Sequence, residues 1–139
     1  VRNRTVVAIA ALTVALLAAC TSRPVPQISS TAAVTVDGKD ANFHVVKCGQ
    51  MQWTRTIDIG GSFAGANIII DEGAQPASTE SVRIQNLGGF TGMYARGNGG
   101  NADTSMTGDK FTITGTANGF KTDQPNEAAS ANFKITVTC

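Results

Sequence analysis

The sequence is poor in the side chains on which most enzymes depend. It contains one histidine, His44, so an acid–base pair has few possible members. The serine in Gly60-Gly61-Ser62-Phe63-Ala64 does not lie in a G-x-S-x-G elbow, because Ala64 replaces the second glycine. Asp71 and Glu72 are adjacent carboxylates, which would point to opposite faces of a strand and are more typical of a turn. We therefore predict no catalytic residues, and we expect His44 to be structural or exposed.

Neither sign of charge is in excess. The chain has 11 basic and 10 acidic residues, and charged residues make up 15% of it. A nucleic-acid-binding domain needs a concentrated basic surface, and purely electrostatic attachment to a membrane needs a polybasic cluster. The sequence contains neither, so we expect no nucleic-acid partner.

Metal ligands are also scarce. The loop Gly97–Asp103 weakly resembles a calcium-binding repeat, but a single copy is explained by loop chemistry alone. The three cysteines, Cys20, Cys48 and Cys139, include no CxxC pair. We therefore expect no metal and no cofactor.

No apolar run is long enough for a permanent transmembrane helix. The run Thr5–Leu17 follows the basic residues Arg2 and Arg4 and has 13 residues. As a helix it would reach roughly 20 Å, which is short of a ~30 Å hydrocarbon core. Its length and its basic flank are typical of an export signal.

The four residues at the end of this run are more specific. Leu17-Ala18-Ala19-Cys20 has a leucine three residues before a cysteine with small residues between them, as lipoprotein processing requires. Cleavage would leave Cys20 as the first residue with diacylglycerol on its thiol, and two or three acyl chains anchor a protein essentially permanently. The alternative is an ordinary secretory signal in which Cys20 is incidental. We predict a signal peptide over residues 1–19 and a protein anchored on the extracytoplasmic face of the cell membrane.

Residues 20–32 are expected to comprise the lipidated Cys20 and a flexible tether. The stretch after Cys20 contains two prolines and five hydroxyl residues but few apolar groups. Such a composition does not offset the entropy of ordering, so we predict a partly extended linker. In polyproline II form it would span roughly 30 Å.

Residues 33–139 are expected to form one β domain. Phe111 and Ile113 alternate with threonines, and Phe133, Ile135 and Val137 repeat the pattern near the C-terminus. About eight short strands and no 12-residue amphipathic helix are recognisable. This predicts an all-β, mainly antiparallel fold, either a sandwich or a partly open barrel.

Some local features of this domain can also be predicted. We expect a hairpin over residues 33–48 with its turn at Asp37-Gly38-Lys39-Asp40, and a central strand over 66–70 that is buried on both faces. Residues 123–131 are expected to form a loop with a helical turn after Pro125. Arg55 shares a strand face with apolar residues and is expected to lie at an edge or to extend to solvent.

The cysteines divide into two groups. If Cys20 is lipidated, Cys48 and Cys139 are the remaining thiols, and outside the cell we expect them to form a disulfide. A metal-binding pair or a redox dithiol is the alternative, but no further ligand accompanies them. The disulfide would also hold the last residue of the chain, which would otherwise fray.

Large apolar side chains are few, and they raise the possibility of a ligand pocket. β-Barrels often enclose apolar ligands, so these side chains could bind an envelope lipid or glycolipid. The alternative is that they fill the core of the domain. The candidates are Trp53, Phe63, Phe90, Met93, Tyr94 and Phe120.

Four segments carry a family resemblance: Val36–Asp40, Val45–Cys48, Phe111–Gly119 and Phe133–Cys139. Together, and in this order, they resemble the mycobacterial 19 kDa lipoprotein antigen family. The resemblance extends over the whole chain from Val34 onwards and includes the V-D-G-K-D turn, the I-T-G-T-A-x-G segment and the terminal V-T-C.

The resemblance implies a cell-envelope lipoprotein with one disulfide. It also implies a surface antigen that interacts with the host, with Toll-like receptor 2 as a partner of the acylated Cys20. The tether is shorter and poorer in threonine than the glycosylated spacer of the family's antigen, so glycosylation does not follow. We expect a non-enzymatic envelope lipoprotein. A carrier of an envelope lipid or glycolipid is the alternative, and an enzyme is a less favoured one.

Overall fold

The computed structural model describes residues 30–139 of the chain. The predicted signal, Cys20 and most of the tether lie outside the described residues. The described part is all-β, as predicted, but it has ten strands and not about eight. They are β1 (Ala32–Val36), β2 (Lys39–Phe43), β3 (Val46–Met51), β4 (Thr54–Gly60), β5 (Gly65–Asp71), β6 (Ser78–Leu87), β7 (Phe90–Ala95), β8 (Asn101–Thr107), β9 (Lys110–Lys121) and β10 (Gln124–Thr138).

The strands form one antiparallel sheet that nearly closes into a barrel. Their order is β2-β1-β10-β9-β7-β6-β5-β4-β3, and β8 pairs with β9 beside this path. The two ends of the path, β2 and β3, are consecutive in the chain and are joined only by His44 and Val45. The two edges of the sheet are therefore held close together, and of the two predicted architectures the barrel is the one adopted. Among residues 30–139 we find no helix long and apolar enough to cross a membrane.

Apolar side chains at alternate positions of the strands fill the interior of the barrel. Phe111 and Ile113 are buried while Thr112 and Thr114 face outward, and the same alternation continues on β10, as predicted. Each fully buried side chain of this size contributes about 1.5–3 kcal/mol. The largest fully buried residues are Phe90, Phe111, Ile57, Ile68, Ile70, Ile84, Ile113, Ile135, Val34, Val36, Val82 and Val137.

The first hairpin is shorter than predicted. Asp37 and Gly38 form the turn, with φ angles of 47° and 77°, and the chain returns as β2. Residues 46–48, which were expected to belong to this hairpin, lie instead in the separate strand β3 (Val46–Met51), which pairs with β4. The partly buried positions change parity from Ala41 and Phe43 to Val46 and Cys48, but this change alone does not show that the chain takes a new partner strand there.

The prediction that residues 66–70 are buried on both faces is wrong. Ile68 and Ile70 are fully buried, but Asn67 and Ile69 are only partly buried because they lie on the outer face. A single barrel-like sheet has one dry face, and the apolar Ile69 is tolerated on the other. The central position of this strand, between β4 and β6, agrees with the prediction.

One strand and part of another lie where no strand was expected. β8 (Asn101–Thr107) pairs with β9 through residues that are mostly exposed and polar. Residues 123–131 do not form a loop with a helical turn, because β10 begins at Gln124 and has a register irregularity before Ala129. Both segments are exposed, so they lack the apolar alternation by which buried strands are recognised.

β9 changes partner along one of its sides. Its first part pairs with β8, and its last part pairs with β7. Gly115 and Gly119 lie on either side of this change, where a Cβ would collide with the carbonyl oxygens of Asn101 and Thr91 respectively. These are the two glycines of the I-T-G-T-A-x-G segment, and they allow two different strands to approach β9 closely.

Candidate functional site at the proximal rim

The two ends of the barrel differ in character. We call the end at which the described chain begins the proximal rim; it is formed by residues 51–54, 72–77 and 107–110 and by Cys139. The Thr138 N–H donates to the Thr31 carbonyl (3.1 Å), and the Cys139 N–H donates to the Asp109 carbonyl (2.9 Å). β1 runs from this side towards the opposite, distal rim, which is formed by the turns at residues 37–38, 88–89 and 122–123.

The predicted disulfide lies beside the proximal rim. Cys48 is bonded to Cys139, with their Cα atoms 5.9 Å apart and a sequence separation of 91. Cys48 belongs to the edge strand β3, whereas Cys139 follows β10, which lies near the other edge of the sheet. The bond therefore fastens the two sides of the nearly closed sheet to each other.

Arg55 covers the proximal end of the core. Its Nε donates to Glu72 Oε1 (2.8 Å), and Gln50 Nε2 donates to Glu72 Oε2 (3.0 Å). The Arg55 guanidinium carbon lies 5.4 Å from the centre of the Phe111 ring. Arg55 thus extends from an apolar strand face to the rim, but it ends in an ion pair with Glu72 and is mostly covered, whereas an edge position or a solvent-exposed end was expected.

Three large apolar side chains are exposed around this ion pair. Met51 is 79% exposed, Trp53 is 68% exposed and Met106 is 50% exposed. The backbone beneath Trp53 is fixed, because its carbonyl accepts a hydrogen bond from the Glu72 N–H (2.7 Å). A Cβ added at Gly73 would lie 3.2 Å from the Trp53 Cβ, so the loop lies against the start of this side chain. Trp53 is consequently held at the tip of the rim.

The six candidate pocket residues are not brought together. Phe90 and Tyr94 face the interior and are buried in the core. Met93 and Phe120 lie on the adjacent strands β7 and β9 but face outward. Two of these four side chains thus fill the barrel, and the other two lie on its outer surface.

The remaining two candidates lie at opposite ends of one strand. Trp53 precedes β4, and Phe63, which is 81% exposed, follows it in the turn to β5. Trp53 shares the parity of the buried residues Ile57 and Ile59, but it lies beyond the end of the barrel. The alternation of residues along a strand shows on which face of the sheet a side chain lies. It does not show whether the core extends far enough to cover that side chain.

Four charged side chains line the depression at the distal rim. It has a volume of about 560 Å³ and includes Asp37, Lys39, Lys121 and Asp123, with Phe90 at its base. Such a lining suits water better than an acyl chain.

The side chains that carry chemistry are dispersed. His44 is exposed in the connection between β2 and β3, in agreement with the prediction for it. Within residues 30–139, no three His, Cys, Asp or Glu side chains are close enough to hold a metal ion. Asp71 accepts a hydrogen bond from the Gly73 N–H (2.8 Å), which is a turn contact.

These features define a small disulfide-closed β-barrel domain that follows a lipoprotein-type N-terminal sequence. The chain belongs to the mycobacterial 19 kDa lipoprotein antigen family. The model of that family, described as "Mycobacterium 19 kDa lipoprotein antigen", matches residues 25–139. The family resemblance seen in the sequence is therefore confirmed.

Relatives are found over most of the chain. A lipoprotein of Mycobacterium indicus pranii is 67% identical over 138 residues, which is 99% of each chain. Lipoprotein LpqH of Mycobacterium tuberculosis is 35% identical over 116 residues, covering 82% of this chain and 72% of the relative. The probable lipoprotein LppE of the same species is 29% identical over 136 residues, covering 97% of this chain and 96% of the relative.

Proposed function

We propose that this chain is a non-enzymatic envelope lipoprotein, anchored in the cell membrane by acyl chains on Cys20, that displays its β domain on the extracytoplasmic side. The observation that carries the proposal is the Leu17-Ala18-Ala19-Cys20 sequence in a chain of a lipoprotein family. The Cys48–Cys139 disulfide supports export, because such bonds persist in oxidising compartments.

The dispersal of reactive side chains supports a role in display and not in catalysis. An acid–base site needs partners within hydrogen-bond reach of one another. His44 is exposed in the connection between β2 and β3. Glu72 already accepts hydrogen bonds from Arg55 and Gln50. Membership of an antigen family favours host interaction as the purpose of display.

The acylated N-terminus is the part of the molecule that we expect host receptors to recognise. Toll-like receptor 2 is the proposed partner, and it would bind the acyl chains on Cys20. The β domain would then present the surface that antibodies and other host proteins contact.

Metabolic labelling with palmitate tests the anchor. We compare the wild-type chain with Cys20→Ala in a mycobacterial host, and we use Cys48→Ser/Cys139→Ser as the matched control. The wild type and the disulfide variant should both carry label and sediment with membranes, whereas Cys20→Ala should lose both properties. Equal label in Cys20→Ala and in the wild type would show that lipid is attached elsewhere and would refute the proposal.

Receptor activation tests the host interaction separately. Purified wild-type chain should activate reporter cells that express Toll-like receptor 2, and the Cys20→Ala chain should not. Full activation by Cys20→Ala would show that the receptor does not recognise the acyl chains. The result of the anchoring experiment would be unaffected.

A further inference from the structure

The exposed apolar residues of the proximal rim lie among charged side chains whose signs balance. Met51 ends β3, Trp53 occupies the next turn, and Met106 lies near the end of β8. Arg55 and Glu72 are paired at 2.8 Å with side chains only 21% and 12% exposed. The turn at residues 107–110 adds Asp109 and Lys110, which are exposed and opposite in charge. The rim therefore presents apolar side chains around a neutralised ion pair.

The chain leads from this side of the barrel towards Cys20. Thr31 is hydrogen-bonded to Thr138 at the start of β1, and β1 then runs away from the proximal rim. The 11 residues between Cys20 and Ala32 would have an r.m.s. length of about 18 Å as a flexible coil. A lipid on Cys20 would accordingly lie a short distance from the rim. The tether would therefore keep the rim close to the bilayer, so that the effective concentration of membrane at the rim would be high.

Resting on the anchor proposed above, we propose that the proximal rim is a membrane-docking surface. Trp53 would insert into the headgroup region of the bilayer that holds Cys20, with Met51 and Met106 beside it. Tryptophan is suited to this position because its ring is largely apolar while its indole N–H can bind water or headgroups. The domain would then have a defined orientation on the membrane, with its distal rim outward.

The bilayer fits this surface better than two other occupants. A second copy of the chain would need about 800 Å² of contact on each partner, whereas a tryptophan buries only about 150–250 Å². The tether has few apolar groups with which to cover the rim, namely Val25 and Ile28. A bilayer interface needs neither a large area nor a complementary shape.

Trp53 is the one tryptophan of the chain, so its fluorescence reports on this rim alone. We reconstitute the acylated full chain into phosphatidylcholine–phosphatidylglycerol vesicles, with and without bromine on the upper acyl chains, and confirm its attachment by flotation. Docking predicts a blue-shifted Trp53 emission relative to the Cys20→Ala chain in buffer. It also predicts the loss of most of that emission in brominated vesicles.

Trp53→Phe/Phe63→Trp is the matched control. It moves the indole to the other end of β4, whose seven residues span roughly 23 Å at about 3.3 Å each. Both positions are exposed turns, so neither exchange should disturb the core. The emission of the control should resemble that of a chain in buffer and should not respond to bromine.

Each other outcome overturns the proposal in a distinguishable way. A chain that floats but whose Trp53 emission is neither shifted nor quenched is anchored without docking. A blue shift without bromine quenching means that protein, from the tether or a second copy, covers the rim. Equal quenching at positions 53 and 63 means that the domain has no preferred orientation. A wild-type chain that does not float refutes the anchor, and docking with it.

Discussion

Cys139, the residue after β10, is bonded to Cys48 on the edge strand β3. β3 pairs with β4 on one side, and the disulfide ties it to the opposite side of the sheet. The last residue of the chain therefore contributes to barrel closure.

Removing this bond should cost a large part of the stability of the domain. For a loop of 91 residues the chain-entropy model gives about 4.5 kcal/mol. We expect Cys48→Ser/Cys139→Ser to lower the free energy of unfolding by about this amount in urea denaturation. Wild-type protein unfolded in the presence of reductant should give the same value. A difference below about 1 kcal/mol would show that the barrel closes without the bond.

Arg55 should matter more than an ordinary surface arginine. Arg55→Ala leaves the partly buried Glu72 without its cation and uncovers Phe111, so we expect a loss of about 1.5–3 kcal/mol. Arg96→Ala is the control, because Arg96 also pairs with a glutamate, Glu80 (2.9 Å), but its side chain is half exposed. That variant should lose only about 0.2–1 kcal/mol. If Arg55→Ala and Arg96→Ala lose the same stability, as measured by thermal and urea unfolding, the role assigned to Arg55 is contradicted.

The glycines of β9 should not tolerate a side chain. In Gly115→Ala and Gly119→Ala the new methyl group would meet the backbone of β8 or β7, which cannot move aside as a flexible side chain can. We expect each change to destabilise the domain by about 1–3 kcal/mol. Gly49→Ala on β3 is the matched control, because nothing lies within 4 Å of its added Cβ. If all three variants unfold at the same denaturant concentration, strand approach does not explain these glycines.

The parts of the fold that could be predicted are those with strong apolar alternation. Large apolar side chains face inward at every second residue in parts of three strands, namely Val82 and Ile84 on β6, Phe111 and Ile113 on β9, and Phe133, Ile135 and Val137 on β10. Burial of those side chains selects the strand and its face together. The disulfide could also be predicted, because the expected lipidation of Cys20 leaves Cys48 and Cys139 to pair.

The parts that were not predicted are exposed strands and strand partners. β8 and the first half of β10 are held by backbone hydrogen bonds to β9, so their side chains carry little signal. The passage from β2 to β3 depends on closure of the whole sheet, which no local pattern encodes. The apolar character of Trp53 does not show that it is exposed, because its exposure follows from its position beyond the end of the barrel.

The central claim is that the chain is held in the membrane by lipid on Cys20. Mass spectrometry of the N-terminal peptide, prepared from mycobacterial membranes, tests it most directly. The predicted peptide begins at Cys20 and carries a thioether-linked diacylglycerol, with residues 1–19 removed. A chain that begins at another residue, or whose Cys20 carries a free thiol, would contradict the account.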